Sequence, residues 1–394
     1  MRKITADYIY PIDQAPIANG VVIIDKKGKI VGLDKRENYA PKDLEFYDGI
    51  IVPGFINTHC HLELSHMKGK VHTGTGLIPF ITSVVQQRGA SEAAIQEAIA
   101  EGEKEMIANG IVAVGDISNV VDTFAQKAQS NLRYYTFVEF FDFLQEENAP
   151  AEFEKYKAVY DQLALPTGHH KSCVPHAPYS VSPRLFSAIN QVNNQHPSGT
   201  VSIHNQETPP ENELFLTKTG DFVDFYAGFG ISLDNFTADG KPSIYYALQH
   251  LDPNQRTLFV HNTLTTVEDI DTAQAWSGHT YWATCPNANL YIENDLPNYQ
   301  NFLDTNAKVT IGTDSLTSNW ELCILSEMKA IAKYQSYVPF ATLLQWATLN
   351  GAEALGMQKD LGSITVGKTC GLNLLTNLNK QGGIGADTQV QKLA

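Results

Sequence analysis

Eight short apolar runs, rich in β-branched and aromatic residues, recur along the chain with helix-like segments between them. Strands that alternate with helices indicate βα units, because two parallel strands need a crossover connection long enough to hold a helix. The 394 residues can hold one (β/α)8 barrel of roughly 250 residues and a small additional module. We therefore predict an α/β fold whose main part is a closed TIM barrel. The runs begin at Gly49, Gly110, Arg133, Ser172, Thr200, Arg256, Thr280 and Lys308.

Two regions lie outside this repeat, and both consist of short strand-like runs with tight turns. Near the N-terminus, VVIIDKKGKIVGL predicts two strands around a Lys-Lys-Gly turn, and LGSITVGKTCGLNLLT near the C-terminus has the same character. We expect residues 1–50 and 358–394 to pair as one composite, β-sandwich-like domain beside a barrel formed by residues 51–357. The longest connection between barrel strands, residues 209–255, is a candidate lid, because loops that follow barrel strands build active sites.

Two helix boundaries carry specific signals. The segment SEAAIQEAIAEGEKEMIANG predicts a helix with Ser91 as its N-cap and Gly110 at its end. Ser182 and Pro183 combine a capping side chain with proline at the first helical position, where the missing N–H is not needed.

The charge of the chain restricts its partners. A formal net charge of -15 repels phosphate backbones and anionic lipid, so we expect a small-molecule substrate rather than nucleic acid or a membrane. The five cysteines include no CxxC pair, and no long apolar run opens the chain, which favours the cytoplasm. We also expect the chain to form a homodimer.

Histidines and acids follow several predicted strands at their carboxyl ends. His59 and His61 are two residues apart, so a pleated backbone points both side chains to the same side. The fifth, sixth and eighth strands are followed by His204, Glu207, His261 and Asp314. Because catalytic residues of such barrels come from these ends, we expect the set to converge. Imidazoles with a carboxylate suit one divalent metal ion, zinc by default, with iron or manganese as alternatives.

Successive segments of the chain resemble the motifs of the amidohydrolase superfamily, in its cytosine-deaminase-like branch. The resemblance runs in order across nearly the whole chain and rests on VPGFINTHCHLELS, PHAPYSVS, SIHNQET, VHNT, TCPNANLYI and IGTDSLTSNWEL. That branch contains cytosine, guanine, S-adenosylhomocysteine and aminofutalosine deaminases and the triazine chlorohydrolases. The resemblance implies a TIM-barrel hydrolase whose single metal is bound by His59, His61, His204 and Asp314.

The resemblance also implies roles for three catalytic residues. Glu207 falls where the family keeps its proton-shuttling glutamate, and His261 where it keeps a histidine near the attacking water. A bound metal ion can lower the pKa of water to about 7. Asp314 could then take the proton of the water, while Glu207 protonates the ring nitrogen and later the departing amine.

Substrate contacts are expected from His176, Glu63, Glu139 and Ser318. His176 lies in the PHAPYSVS segment, whose histidine commonly contacts substrate in the family that the chain resembles. Glu63 lies near the metal pair, where a surface or supporting role is equally open. Glu139 belongs to an acidic and aromatic third-strand segment, and Ser318 to the DSLTSN segment. Ala288 stands where the branch usually has serine before its asparagine, which puts a hydroxyl contact from that position in doubt.

The distribution of arginines bears on the substrate, because arginine binds carboxylates through two parallel hydrogen bonds. Few arginines lie near the predicted strand ends, so an amino-acid tail is not expected unless Arg88 reaches the site. An aminopurine nucleoside, adenosine-like or aminofutalosine-like, is the first expectation. A guanine-type or cytosine-type base, a triazine and a cyclic amide such as a hydantoin are the alternatives. A barrel that binds metal and ligand without turnover is the distant one.

Overall fold

The structure, a computed structural model, describes residues 1–196 and 199–394. The N-terminal region contributes β1 (Arg2–Thr5), β2 (Tyr8–Ile9), β3 (Ile17–Ala18), β4 (Gly20–Ile24), β5 (Ile30–Lys35), β6 (Glu45–Phe46) and β7 (Ile50–Pro53). The predicted Lys-Lys-Gly turn joins β4 to β5, which pair antiparallel. Gly28 in this turn has a φ of 78°, which glycine adopts without steric cost.

The central strands form a closed parallel barrel. They are β8 (Phe55–Cys60), β9 (Ile111–Ser118), β10 (Arg133–Phe140), β11 (His170–Pro175), β12 (Thr200–Asn205), β13 (Arg256–His261), β14 (Thr280–Thr284) and β15 (Val309–Ile311). They lie in two sheets, ordered β11-β10-β9-β8 and β12-β13-β14-β15. A parallel bridge between Cys60 and Asp314 closes one seam, and the His204 N–H donates to the His176 carbonyl at 2.9 Å across the other. The predicted (β/α)8 barrel is confirmed.

The first predicted run proves to be two strands rather than one. β7 pairs with strands of the small sheets, whereas β8 alone enters the barrel. Gly54 separates the two, and its N–H donates to the carbonyl of Cys370 at 3.1 Å. A Cβ at this position would lie 2.3 Å from Cγ1 of Val112 and 2.8 Å from the backbone carbonyl oxygen of Cys370, so the close packing here requires glycine.

The helices are α1 (Leu77–Gln87), α2 (Glu92–Ala108), α3 (Phe124–Gln129), α4 (Ala149–Gln162), α5 (Pro183–Asn193), α6 (Pro209–Thr217), α7 (Asp221–Gly228), α8 (Ser243–His250), α9 (Val267–Trp276), α10 (Pro286–Ile292), α11 (Tyr299–Asp304), α12 (Ile324–Tyr334), α13 (Phe340–Ala347) and α14 (Leu349–Ala354). Both predicted caps are confirmed. The Ser91 hydroxyl accepts from the Ala94 N–H before α2, and the Ser182 hydroxyl accepts from the Leu185 N–H before α5. In the described ranges, no helix combines the length and the apolar composition needed to cross a membrane.

The two ends of the chain lie together in the small sheets. The C-terminal strands are β16 (Leu372–Thr376) and β17 (Gln389–Lys392), and they extend β7 in a sheet ordered β17-β16-β7-β2-β3. Within the tail segment LGSITVGKTCGLNLLT, β16 covers only the last five residues, LNLLT. The Arg2 guanidinium donates to the carbonyl of Leu393 at 2.8 Å, which ties both ends to each other. The division into 1–50 with 358–394 and 51–357 stays a prediction.

A separate apolar cluster covers the carboxyl end of the barrel. It joins side chains of α1, such as Leu77 and Phe80, to those of α6 and α7, such as Phe215 and Phe222. The candidate lid, residues 209–255, is not an irregular loop, since it contains the helices α6, α7 and α8. Burial of these side chains holds α1 and α7 over the strand ends.

Candidate metal centre and the cavity above it

Three ligand-type side chains meet at the seam between β8 and β15. The Nε2 atoms of His59 and His61 are 3.2 Å apart, and they lie 3.6 Å and 3.5 Å from Oδ1 of Asp314. Gly312 permits this approach, because a Cβ there would lie only 2.8 Å from Cβ of His59. The predicted pairing of the first and eighth strand ends is thus seen as contact between side chains.

Two further histidines reach the same point from β12 and β13. His204 donates from Nδ1 to the His176 carbonyl at 2.8 Å, and His261 donates from Nδ1 to Oδ1 of Asn289 at 2.8 Å. Each imidazole therefore turns a lone pair on Nε2 towards the cluster. Nitrogen atoms of His59, His204 and His261 lie within 4.8 Å of one another.

The donor set fits a divalent metal ion. Burial lowers the pKa of His61 to about 3 and that of His261 to about 4, so both are neutral ligands at pH 7. Burial opposes ionisation of Asp314, but the imidazoles of His59 and His61, 3.6 Å and 3.5 Å from its Oδ1, outweigh it and hold the pKa of Asp314 below its usual range. Neutral imidazoles facing an ionised carboxylate, with two nitrogens 3.2 Å apart, are the ligands that zinc and related ions bind.

The backbone turns sharply where these ligands leave their strands. His261 has a φ of 72°, Asn262 of 60° and Asp314 of 55°. Non-glycine residues adopt this left-handed region at a cost, and such residues gather at functional sites. The turns direct the side chains of His261 and Asp314 into the barrel mouth.

Glu207 faces the cluster from the loop after β12. It is buried, and its Oε1 lies 3.6 Å from Nε2 of His261. Burial, followed by the negative charge of Asp314, raises the pKa of Glu207 well above its usual value and so favours the protonated carboxyl group. This is the state that a general acid requires.

Glu211 fixes the loop that carries Glu207, and the sequence interpretation missed it. Its carboxylate accepts from the backbone N–H of Gln206 at 3.0 Å and of Glu207 at 2.9 Å. Thr208 and Glu211 form a T-x-x-E pattern, the sequence signal of a helix N-terminus, which could have indicated the residue. In the structure the carboxylate bonds further back along the chain than a capping box would.

Glu139 and His176 lie on the wall of the cavity beside the cluster. Oε2 of Glu139 accepts from Nδ2 of Asn119 at 3.0 Å, whereas Oε1 is buried without a hydrogen-bond partner among residues 1–196 and 199–394. Burial raises the pKa of Glu139 to about 7. His176 shares a hydrogen bond of 2.7 Å between Nδ1 and Oγ of Ser180. Both residues can contact a ligand where they lie.

Glu63 and Ser318 lie behind the cavity surface, which differs from the expectation that they touch substrate. Neither belongs to the wall that the described residues form. Oε2 of Glu63 accepts from the N–H of Asn119 at 3.0 Å, so the carboxyl group is turned towards the backbone after β9. Oγ of Ser318 donates to Oδ2 of Asp314 at 2.5 Å, so it orients that carboxylate. Their hydrogen-bond partners hold both side chains away from the opening.

A buried ion pair supports the turn after His61, and no sequence signal indicated it. Nζ of Lys127, on α3, lies 2.6 Å from Oδ2 of Asp116 on β9. Oδ1 of Asp116 accepts from the N–H of Leu62 at 2.9 Å. Lys127 also donates to Oγ of Ser118 at 2.9 Å. The network therefore anchors the residue that follows the metal-ligand pair.

The cavity above the cluster has a volume of about 410 Å³. Its inner end is formed by the histidines and acids described above. Its outer part is apolar and is lined by Phe80, Ile81 and Val84 of α1 and by Phe225, Phe229 and Ile231 from α7 and the residues after it. A cavity with a polar inner end and an apolar outer part suits a small organic molecule.

Comparison with known proteins agrees with this architecture. The model of the amidohydrolase family matches residues 50–391. An adenosine deaminase of Helicobacter pylori is 28% identical over 335 residues, which are 84% of this chain and 79% of that protein. The crystal structure of Helicobacter pylori aminofutalosine deaminase in complex with methylthio-coformycin has a TM-score of 0.80 at 24% identity, with 96% of this chain and 93% of that chain covered. An adenosine deaminase from Xanthomonas campestris with bound zinc has a TM-score of 0.72 at 22% identity, with 95% and 84% covered.

Proposed function

The chain belongs to the amidohydrolase family, and from this membership we propose that it is a metal-dependent deaminase that hydrolyses the exocyclic C–N bond of an aminopurine nucleoside. One observation carries the proposal. The buried carboxyl group of Glu207, whose pKa burial raises, lies 3.6 Å from His261 and faces the cluster of imidazoles and Asp314 at the inner end of one cavity. The chain is similar to proteins named as adenosine deaminase and aminofutalosine deaminase, and this similarity supports the same reaction.

His59, His61, His204 and Asp314 would hold one divalent ion. Ligand atoms of His59, His61 and Asp314 lie within 4.8 Å of one another, as do those of His59 and His204, and the low pKa of His61 also supports this assignment. Zinc is the proposed metal, supported by the donor set and by the zinc in the Xanthomonas campestris structure, with iron or manganese as alternatives. When bound, such an ion supplies an activated water and stabilises the negative charge that attack on the ring creates.

The side chains around this position divide the proton transfers between them. Glu207 donates a proton to the ring nitrogen beside the attacked carbon, a role that the raised pKa of its buried carboxyl group favours. His261 accepts a hydrogen bond from the attacking water through Nε2, since Nδ1 is engaged by Asn289. Asp314 takes one proton of the water, and the ionised Glu207 takes the other from the hydroxyl group of the adduct and passes it to the amine, which leaves as ammonia. The proton on Asp314 then returns to Glu207, which restores the starting state.

The part of the cavity beyond the reacting ring favours a nucleoside as the substrate over a bare base, a triazine or a hydantoin. Oε1 of Glu139 lies 3.5 Å from Nδ1 of His204 but has no hydrogen-bond partner in the described ranges, and a sugar hydroxyl would satisfy it. His176 lies on the same wall and can contact the ring. The apolar outer part of the cavity extends past both residues, so a single ring would leave it unfilled.

An ammonia-release assay tests the function. Adenosine and 5′-substituted adenosines are expected to release ammonia, and matched aminopyrimidines, guanine and aminotriazines to release far less. Glu207→Gln should keep the bound metal and lower kcat by about 100- to 10,000-fold, the usual contribution of a general acid–base residue. Glu154→Gln, the same change at an exposed position of α4, is the matched control. Near-normal turnover by Glu207→Gln would remove this residue from the proton path, and ring opening of a cyclic amide without ammonia would indicate an amidase.

We also propose that the protein works in the cytoplasm and forms a homodimer. All five cysteines lie in the described part of the chain, each buried with a free thiol, which supports a reducing compartment. Light scattering of the purified protein tests the homodimer, and a monomeric mass at working concentration would contradict it.

A further inference from the structure

A buried carboxylate behind the metal cluster joins two loops that carry groups of the site. Glu327 lies in the first turn of α12 and is 0% exposed. Its Oε2 accepts from the backbone N–H of Asn287 at 2.8 Å, and its Oε1 accepts from Nδ2 of Asn287 at 3.0 Å and from Nδ2 of Asn319 at 2.7 Å. Asn287 lies in the first turn of α10 after β14, whereas Asn319 follows β15. One side chain of a third element therefore connects the ends of two neighbouring barrel strands.

The bonds to Asn287 lead to His261. Asn287 and Asn289 both belong to α10, a helix of seven residues. Nδ1 of His261 donates to Oδ1 of Asn289 at 2.8 Å, and Nδ2 of Asn289 donates to Oγ1 of Thr263 at 3.2 Å. Because Glu327 anchors the first turn of α10, it fixes the place from which Asn289 orients the imidazole of His261.

The bond to Asn319 leads to Asp314. Nδ2 of Asn319 donates to the carbonyl of Thr313 at 2.8 Å as well as to Glu327. The preceding residue, Ser318, donates to Oδ2 of Asp314. The backbone of Asp314 has a φ of 55°, which costs free energy for a residue other than glycine, so this turn depends on contacts that hold it. Glu327 therefore supports, through Asn319, the turn that directs the Asp314 carboxylate.

These contacts require a carboxylate rather than an amide. All three groups that bond to Glu327 are N–H donors, so both of its oxygens serve as acceptors. The amide of a glutamine would turn its own N–H groups towards a donor and leave buried groups without acceptors. Glu327 does not belong to the cavity wall that the described residues form, so its effect on the site passes through the two asparagines.

We propose that Glu327 is a positioning residue for the proposed reaction. Through Asn287 it places His261, which orients the attacking water. Through Asn319 it places Asp314, which holds the metal and takes a proton. The inference rests on the proposed function. Loss of a group that supports a metal ligand changes metal affinity or activity by about 10- to 100-fold. We therefore expect the Asn319 bond to set the metal affinity and the Asn287 bonds to set turnover at saturating metal.

Two measurements separate these bonds: the zinc Kd by competition with a chelator, and kcat for ammonia release from adenosine at saturating zinc. Glu327→Gln should raise the Kd and lower kcat, each by about 10- to 100-fold. Asn319→Ala should raise the Kd by a similar factor. Asn287→Ala, which keeps the backbone bond, should lower kcat by a smaller factor and leave the Kd unchanged. Wild-type Kd and kcat in Glu327→Gln would overturn the proposal. Should that variant fail to fold, wild-type values in both asparagine variants would overturn it.

A matched control separates positioning from stability. Glu103 on α2 is also buried, and its carboxylate accepts from the hydroxyl of Tyr134 at 2.7 Å and from Nε2 of Gln126 at 2.8 Å, outside both loops. Glu103→Gln should lower Tm without changing the zinc Kd or kcat. The visible spectrum of cobalt-loaded protein adds a readout that stability alone does not move, because its bands depend on the geometry of the ligands. Glu327→Gln should shift these bands and Glu103→Gln should not, and unshifted bands in Glu327→Gln would contradict the proposal.

Moving the carboxylate to the other side of one hydrogen bond gives the opposite test. In Glu327→Gln/Asn287→Asp, the oxygen of the introduced glutamine still accepts from the backbone N–H, and its amide donates to the introduced aspartate. This variant should regain most of kcat but not the zinc affinity, since Asn319 does not regain its acceptor. A kcat no higher than that of Glu327→Gln would refute the role of the Asn287 bonds.

The two measurements also separate this inference from the proposed function. A zinc Kd that depends on Glu327, without ammonia from any nucleoside in wild type, would retain the role of Glu327 at the metal and refute the deaminase. Ammonia release at the wild-type rate with an unchanged Kd in every variant would retain the deaminase and refute the positioning role.

Discussion

Replacing Lys127 with methionine should destabilise the protein strongly, because Lys127 neutralises a carboxylate inside the protein. Nζ of Lys127 lies 2.6 Å from Asp116, and the two side chains are 2% and 0% exposed. Removing one partner of a buried pair costs about 3–5 kcal/mol, since the remaining charge is left without compensation. Unfolding entropy of about 2.1 cal/mol/K per residue over 394 residues gives about 0.8 kcal/mol per degree. We therefore expect Tm to fall by about 4–6 °C.

Scanning calorimetry of the metal-loaded protein measures this effect. The double variant Asp116→Asn/Lys127→Met should recover more than half of the loss, because the amide oxygen still accepts from Leu62 and no buried charge remains. Lys104→Met, which breaks an exposed ion pair with Glu101, should leave Tm within about 1 °C. The reasoning is refuted if Lys127→Met melts within 1 °C of wild type, or if the double variant melts no higher than the single one.

Three other predictions concern the site. Asn289→Ala should lower kcat by about 10- to 100-fold with metal content unchanged, since Asn289 orients His261, and loss of the metal would contradict this. Burial raises the pKa of Glu211 to about 7, whereas the unfolded chain releases this proton near pH 4.5. Binding of the proton therefore stabilises the folded state at low pH, and this stabilisation is lost as pH rises from about 5 through 7. Glu211→Gln should flatten the dependence of Tm on pH over this window, and an unchanged slope would count against the shift. Removal of the metal by a chelator should lower Tm by about 3 °C relative to protein with free zinc at about 100 times its Kd. In His59→Ala protein, Tm should be the same with chelator and with zinc.

The barrel and its ligand residues could be predicted because their signals are local. Parallel strands buried on both faces appear as continuous apolar runs, and all six residues of β8 are buried. The spacing of His59 and His61 then fixes a common side through strand pleating alone. The same continuity obscures the division between β7 and β8, although Pro53 and Gly54 stand at the break. The division follows from distant pairing partners, since β7 pairs with β2 and β16 whereas β8 pairs with β9.

The supporting residues could not be predicted because their roles depend on distant contacts. A lysine in a short polar helix is ordinarily exposed, and the burial of Lys127 follows from a carboxylate on a neighbouring strand. Aromatic residues of 209–255, such as Phe222 and Phe225 of α7, lie over the barrel mouth because they pack against the apolar side chains of α1. Ser318 resembles a ligand contact in sequence, yet its hydroxyl is engaged by Asp314.

The pairing of the two chain ends sets an order of events during synthesis. Ile50 pairs with Leu375, and Arg2 reaches a carbonyl 391 positions away, so these contacts carry the highest loop-closure cost in the molecule. β7 can pair with β2 as it is synthesised, whereas its other edge must wait for β16. Until β16 is made, that edge of β7 is unpaired and open to association with other strands.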